Sequence, residues 1–253
     1  MAAAHVIAAV LACGLVVAMV VVAPAAGWRR YGRLLRDLRS DDRARLPFYR
    51  DTIIRQWALV AVVVLIGGLA GRSPHAIGLP DFGPGTADWR LAGAVLASTA
   101  VIAVPVLRLT RRFGPPLDEA VARRLAPLVG MVPTTRGERR LFVAVSLTAG
   151  ICEEVIFRGF GIAYLRWLWP AAPWSFLILA TALPFGLGHR YQGRSGMITT
   201  GVIGAVLCWI TLAAGTLIPA MIIHAVFDLR TLALRQDLIE ALTEREQLAD
   251  PPS

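Results

Sequence analysis

The chain has 253 residues, is 56% hydrophobic and has a mean hydropathy of +0.61, which excludes an ordinary soluble domain. Its net charge is +9 and all 26 basic residues are arginine. They cluster beside apolar runs without a nucleic-acid-binding motif, so positive-inside topology explains them and nucleic acid is not an expected partner.

The first apolar run, about 2–26, ends at Pro24–Gly27. It is long for a signal peptide and its positive charge follows rather than precedes it, so an uncleaved span is expected. Residues 28–55 hold nine arginines and four acids and read as a cytoplasmic loop, in part an amphipathic surface helix. A second span follows at about 56–70, then a Gly/Pro-rich, nearly neutral loop at 71–90. The third span, about 89–107, is bent or ended by Pro105. Residues 108–140, with eight arginines and three acids, form the next cytoplasmic loop.

The fourth span, about 141–164, carries "ICEEVIFRGF" (151–160). An aromatic turn at 165–174 suits a membrane–water interface. A fifth span at about 173–189 leads into "RYQGRSG", a sixth at about 197–213 into "AAGTLIP", and a short seventh at about 217–230 into a soluble tail. Cys13, Cys152 and Cys208 all lie in apolar runs without CxxC spacing and read as small buried hydrophobes. The expected fold is all-α, a polytopic membrane helical bundle of about seven transmembrane helices. Arg-rich and Arg-poor loops alternate, which places the N-terminus outside and the C-terminus in the cytoplasm of a cell-membrane protein. No internal repeat is visible, which disfavours an inverted-repeat transporter.

Few ionisable groups remain inside the spans: Glu153, Glu154, Arg158, His189, His224 and Asp228. Such residues are costly in a bilayer and mark function. Glu154 and Arg158 are four apart and can pair on one helix face. Glu153 is turned by about 100° from Glu154 and has Phe157, not a charge, as its i+4 neighbour. One glutamate therefore reads as structural and the other as free for chemistry. His224 and Asp228 also share a face, and Pro184 with two glycines loosens the helix before His189.

In order, "EEVIFR" (153–158), "FGLGH" (185–189) and "HAVFD" (224–228) follow the patterns E-E-x-x-x-R, F-x-x-x-H and H-x-x-x-(N/D). The set resembles the CPBP family of intramembrane endopeptidases, which includes CAAX prenyl proteases and the Abi, bacteriocin-processing or self-immunity proteins. The resemblance covers about 140–230. It divides the chain into N-terminal spans and loops (1–139), catalytic helices (140–230) and a cytoplasmic tail (231–253). It implies that Glu153 and His189 activate a water to hydrolyse a peptide bond near the cytoplasmic face. His224 and Asp228 would stabilise the oxyanion, Glu154 and Arg158 would form a supporting ion pair, and Phe185 would pack beside the site.

The implied partners are the lipid bilayer and a peptide or protein substrate, membrane-anchored or not. No cofactor is expected; the zinc alternative would use Glu153, His189 and His224, the His₂Glu composition of a catalytic zinc site. A non-catalytic scaffold or bacteriocin self-immunity protein with the same fold is the competing reading.

Overall fold

The structure, a computed structural model, describes residues 2–78, 93 and 128–233. Among these residues every regular element is helical. The expected third span, most of the loops at 71–90 and 108–140, and the tail beyond residue 233 lie outside the described residues.

The N-terminal helix does not stop at Pro24–Gly27. Helix α1 (Ala2–Val17) runs through a π-helical segment (Ala18–Val22) into α2 (Ala23–Asp37). Pro24 sits in the first turn of α2, just after the wide π turn, where its missing N–H and bulky ring disturb the ladder least. Residues expected in a loop thus extend the helix. Tyr31 and Leu34 are buried on one side while Arg29, Arg33 and Arg36 face out, the amphipathic pattern that permits the extension.

Helix α3 (Arg45–Leu69) likewise begins earlier than the expected 56. Its charged first half is tied down by tertiary bonds: Arg45 Nε donates to the Gly130 carbonyl at 3.0 Å, and the Tyr49 hydroxyl to the Met131 carbonyl at 2.6 Å. Asp51 pairs with Arg55 on its own helix at 2.7 Å and with Arg30 of α2 at 2.6 Å. A run read as loop from its charge is therefore helix, with its charges matched across the α2–α3 contact.

Helix α4 (Arg136–Glu153) starts at a capping box in which the Thr135 hydroxyl accepts from the Glu138 N–H and the Glu138 carboxylate accepts from the Thr135 N–H. It continues through a second π segment (Glu154–Phe160) into α5 (Gly161–Leu168). After the Trp169–Pro173 turn come α6 (Trp174–Gly188), a 3₁₀ turn at Arg190–Gln192, and α7 (Gly193–Ala214). Gly215 ends α7 in the left-handed region (φ +68°), a conformation glycine adopts without a Cβ clash. Helix α8 (Ile218–Leu229) closes the described core.

Helix α4 is flanked by α3 and α8, and α6 packs along α7. The α4–α8 approach is very close: a methyl at Gly150 would stand 2.8 Å from both the Ala225 Cβ and the Met221 carbonyl oxygen. Small residues at such crossings let backbones meet where lipid supplies no hydrophobic driving force.

Val10, Val21, Leu183, Ile198 and Val202 point outward, each at least 60% exposed, as a lipid-facing surface requires. Three helices, Ala3–Asp37, Arg45–Leu69 and Arg190–Ala214, are long and apolar enough to cross a membrane, and Trp174–Gly188 is a shorter apolar helix. The expected seven spans are not all matched. Helix α8 rises only about 18 Å, well short of a hydrocarbon core of about 30 Å. Cys152 and Cys208 are buried as expected; Cys13 is exposed, its thiol 3.4 Å from the Tyr164 hydroxyl.

Candidate active site

The two glutamates sit where α4 widens into its π segment: Glu153 is the last residue of the α-helix and Glu154 the first of the wider turn. Glu154 is completely buried. Its Oε1 accepts from Arg158 Nη1 at 2.9 Å, the pairing that the i,i+4 spacing anticipates. Arg158 is also completely buried; its Nη2 donates to the Gly204 carbonyl at 3.0 Å and its guanidinium lies 4.1 Å from the centroid of the Phe185 ring. One arginine thus joins the π segment, α6 and α7, which suits a planar cation with several donors and a stacking face. Gly204 makes room for it, since a methyl there would come within 2.9 Å of Arg158 Nη2 and 2.7 Å of the Phe185 ring.

The same Glu154 Oε1 accepts a second bond, from His224 Nδ1 at 2.8 Å. Asp228, the i+4 neighbour of His224, is not the partner in this bond. The two residues share a helix face, but His224 Nε2 and Asp228 Oδ2 are 3.8 Å apart, beyond a direct hydrogen bond. The close α4–α8 crossing at Gly150 brings the imidazole onto Glu154 instead. Asp228 is the most exposed of the group, its side chain about one-third accessible.

Glu153 is not without a partner either. Its Oε1 accepts from Gln56 Nε2 at 2.7 Å, a contact from α3 across 97 positions that no local spacing could reveal. Its other oxygen, Oε2, is buried with no hydrogen-bond partner among the described residues. That oxygen faces two imidazoles, with His189 Nε2 at 4.0 Å and His224 Nε2 at 3.8 Å.

Hydrogen-bond chemistry settles how these rings present themselves. His189 Nδ1 lies 2.8 Å from the Phe185 carbonyl, which can only accept, so Nδ1 carries a proton and Nε2 is the nitrogen turned toward Glu153. His224 Nδ1 donates to a carboxylate, which leaves its Nε2 facing Glu153 and Asp228. Phe185 walls this space: its ring centroid is 4.8 Å from that of His189, 5.8 Å from that of His224 and 5.1 Å from that of Phe157. Separations of 3.8–4.0 Å between polar atoms exceed a direct hydrogen bond. Glu153 Oε2 and the two imidazole nitrogens thus lie together without bonding one another directly.

The same three side chains have the composition of a zinc site. In tetrahedral coordination with bonds of about 2.1 Å, neighbouring donors sit about 3.4 Å apart. The Glu153–His separations are wider, and among the described residues no cluster of His, Cys, Asp or Glu closes to metal-holding geometry. As placed, the donors do not fit the ion.

All seven residues singled out in the sequence converge on α4, its π segment, α6 and α8. Sequence reasoning missed Gln56, Gly204 and Gly150. For Gln56 a signal existed: it is an amide at the head of the apolar run 56–70, where a polar side chain calls for a partner.

Residues 136–230 match the family model described as Rce1-like, type II CAAX prenyl endopeptidase. The match contains Glu153, Glu154, Arg158, Phe185, His189, His224 and Asp228, and bears out the resemblance read from the three motifs. Gln56 lies outside it. No curated protein and no solved structure matches the chain.

Proposed function

We propose that this chain, whose segment 136–230 is that of the CPBP/CAAX-type protease family, is an intramembrane endopeptidase in which Glu153 and His189 activate a water. The observation that carries the reading is the position of Glu153 Oε2, buried, without a hydrogen-bond partner among the described residues, and faced by Nε2 of both His189 and His224.

In this mechanism the water donates one hydrogen bond to the His189 lone pair and the other to Glu153 Oε2. Its oxygen attacks the carbonyl carbon of the scissile peptide as Glu153 takes the proton. The carbonyl oxygen becomes an oxyanion. Protonated on both nitrogens, as an imidazolium held by the Glu154 carboxylate, His224 offers it an N–H from Nε2, with its ring fixed from behind by the Nδ1 bond to Glu154. Collapse of the tetrahedral intermediate breaks the C–N bond, and Glu153 returns its proton to the leaving amine. The products are an amine and a carboxylic acid, which releases its remaining proton to solvent, and Glu153 is regenerated. Arg158 and Glu154 do not touch substrate; they hold His224 in place.

The site opens toward the cytoplasmic face in this reading, with the N-terminus outside. The support is the alternation of Arg-rich and Arg-poor loops in the sequence. Asp228 is the most exposed of these side chains and marks the open edge of the site in this reading.

The test is cleavage of a peptide library by the purified protein in detergent, read by mass spectrometry, with and without a chelator. The mechanism predicts cleavage that survives the chelator and vanishes in Glu153→Gln. Equal background cleavage by both proteins would refute it. A scaffold would instead keep full biological activity in Glu153→Gln and His224→Ala.

A further inference from the structure

We infer that Gln56 is a positioning residue for the reaction, so that α3, outside the family-matched segment, forms part of the site. The inference rests on the peptidase reading for its kinetic consequence, but its geometric content stands apart from turnover.

A carboxylate has two oxygens and a rotatable stem. Only one oxygen of Glu153 can face the two imidazoles, and the other must be held for the first to stay there. Gln56 Nε2 does this by donating to Oε1 at 2.7 Å, a short bond of the charge-assisted kind. Because an amide nitrogen can only donate, the contact favours the ionised carboxylate that the attack on water needs. It leaves Oε2 as the one oxygen free to accept a proton.

A second observation separates this from an ordinary packing bond. The amide oxygen of Gln56, Oε1, is buried with no hydrogen-bond partner among the described residues. A glutamine placed for stability satisfies both ends of its amide, because an unmade bond in a buried site is unfavourable. This one satisfies only the end that touches Glu153. The helix that carries it is secured independently, by Arg45 and Tyr49 on the Gly130–Met131 carbonyls, so the amide is delivered by a fixed element. Holding a general base within a fraction of an ångström of its productive position is how residues that never touch substrate affect rate.

The test compares wild type with Gln56→Met, which keeps the volume and removes the donor, and with Trp57→Leu, a change at the exposed neighbour. Gln56→Met is expected to lower kcat by about tenfold to a hundredfold with KM unchanged. Gln56→Asn, with the same amide on a shorter stem, recovers part of the loss. Trp57→Leu leaves kcat as it is. Should Gln56→Met fail to fold, Gln56→Glu retains the length, sets carboxylate against carboxylate, and must show the same loss of kcat. Unchanged kcat in either folded variant overturns the inference.

A readout that needs no turnover accompanies the kinetics. The infrared carboxylate band that disappears in Glu153→Gln is expected to shift in Gln56→Met and not in Trp57→Leu. If the wild-type protein cleaves no peptide, the peptidase reading fails, and the infrared band still decides whether Gln56 holds Glu153. A band that stays in place contradicts the inference whatever the kinetics show.

Discussion

Nδ1 of His224 donates to Oε1 of Glu154 across 2.8 Å, joining side chains 70 positions apart at an oxygen that Arg158 also holds, at 2.9 Å. The glutamate that looked purely structural is therefore the anchor of the ring expected to face the oxyanion. Of the adjacent glutamates, Glu153 presents an open oxygen to both histidines, and Glu154 holds one of those histidines and the arginine that joins three helical segments.

The first prediction concerns Arg158. Removing one partner of a completely buried pair leaves the other charge stranded, at a cost of about 3–5 kcal/mol. Arg158→Leu should lower the unfolding temperature in detergent markedly. Arg158→Lys should rescue little, because an ammonium cannot bond Glu154 and the Gly204 carbonyl while also lying flat on Phe185. Full stability in Arg158→Lys would show that the planar, many-handed contact is dispensable.

The second concerns the α4–α8 crossing. Gly150→Ala places a methyl 2.8 Å from Met221 and Ala225 atoms, so the helices must separate. Overpacking of this kind costs about 1–3 kcal/mol, and it should pull His224 off Glu154 and cut peptide cleavage. Gly137→Ala, on the same helix with open space around it, serves as the control and should do neither. Equal thermal stability and equal turnover for the two variants would contradict the packing argument.

The third concerns Asp228. It makes no direct hydrogen bond to His224 across their 3.8 Å, and its side chain is partly exposed. Asp228→Asn keeps the shape and adds a donor, so cleavage should persist. Asp228→Leu removes every polar atom from that edge of the site and should slow cleavage by about 10- to 100-fold. Loss of activity in Asp228→Asn would mean that its negative charge, rather than its polarity, serves the reaction.

How much of this was legible in the sequence follows from which contacts are local. The Glu154–Arg158 pair, the α6 and α7 spans and the short α8 could be read from spacing and hydropathy, because each depends on neighbours within a few turns. The early start of α3 could not. Arg45 reads as loop charge until Gly130 supplies its acceptor. The extension past Pro24 depends on a π turn that hydropathy does not report. Glu153 looked unpaired because the 100° helical step sees only its own helix, whereas its partner Gln56 comes from another. The His224–Glu154 bond was hidden for the same reason, since Glu154 becomes available only through the close approach at Gly150.

The central claim is that Glu153 and His189 act on one water as a unit, and the most direct measurement is the peptide-cleavage rate of Glu153→Gln, His189→Ala and the double variant, each confirmed folded. Groups that act together are non-additive when removed. Each single change should lower the rate by about 10²–10⁴-fold, and the double variant should be no slower than the slower single. Losses that multiply in the double variant, or a Glu153→Gln protein that cleaves at the wild-type rate, would contradict the account.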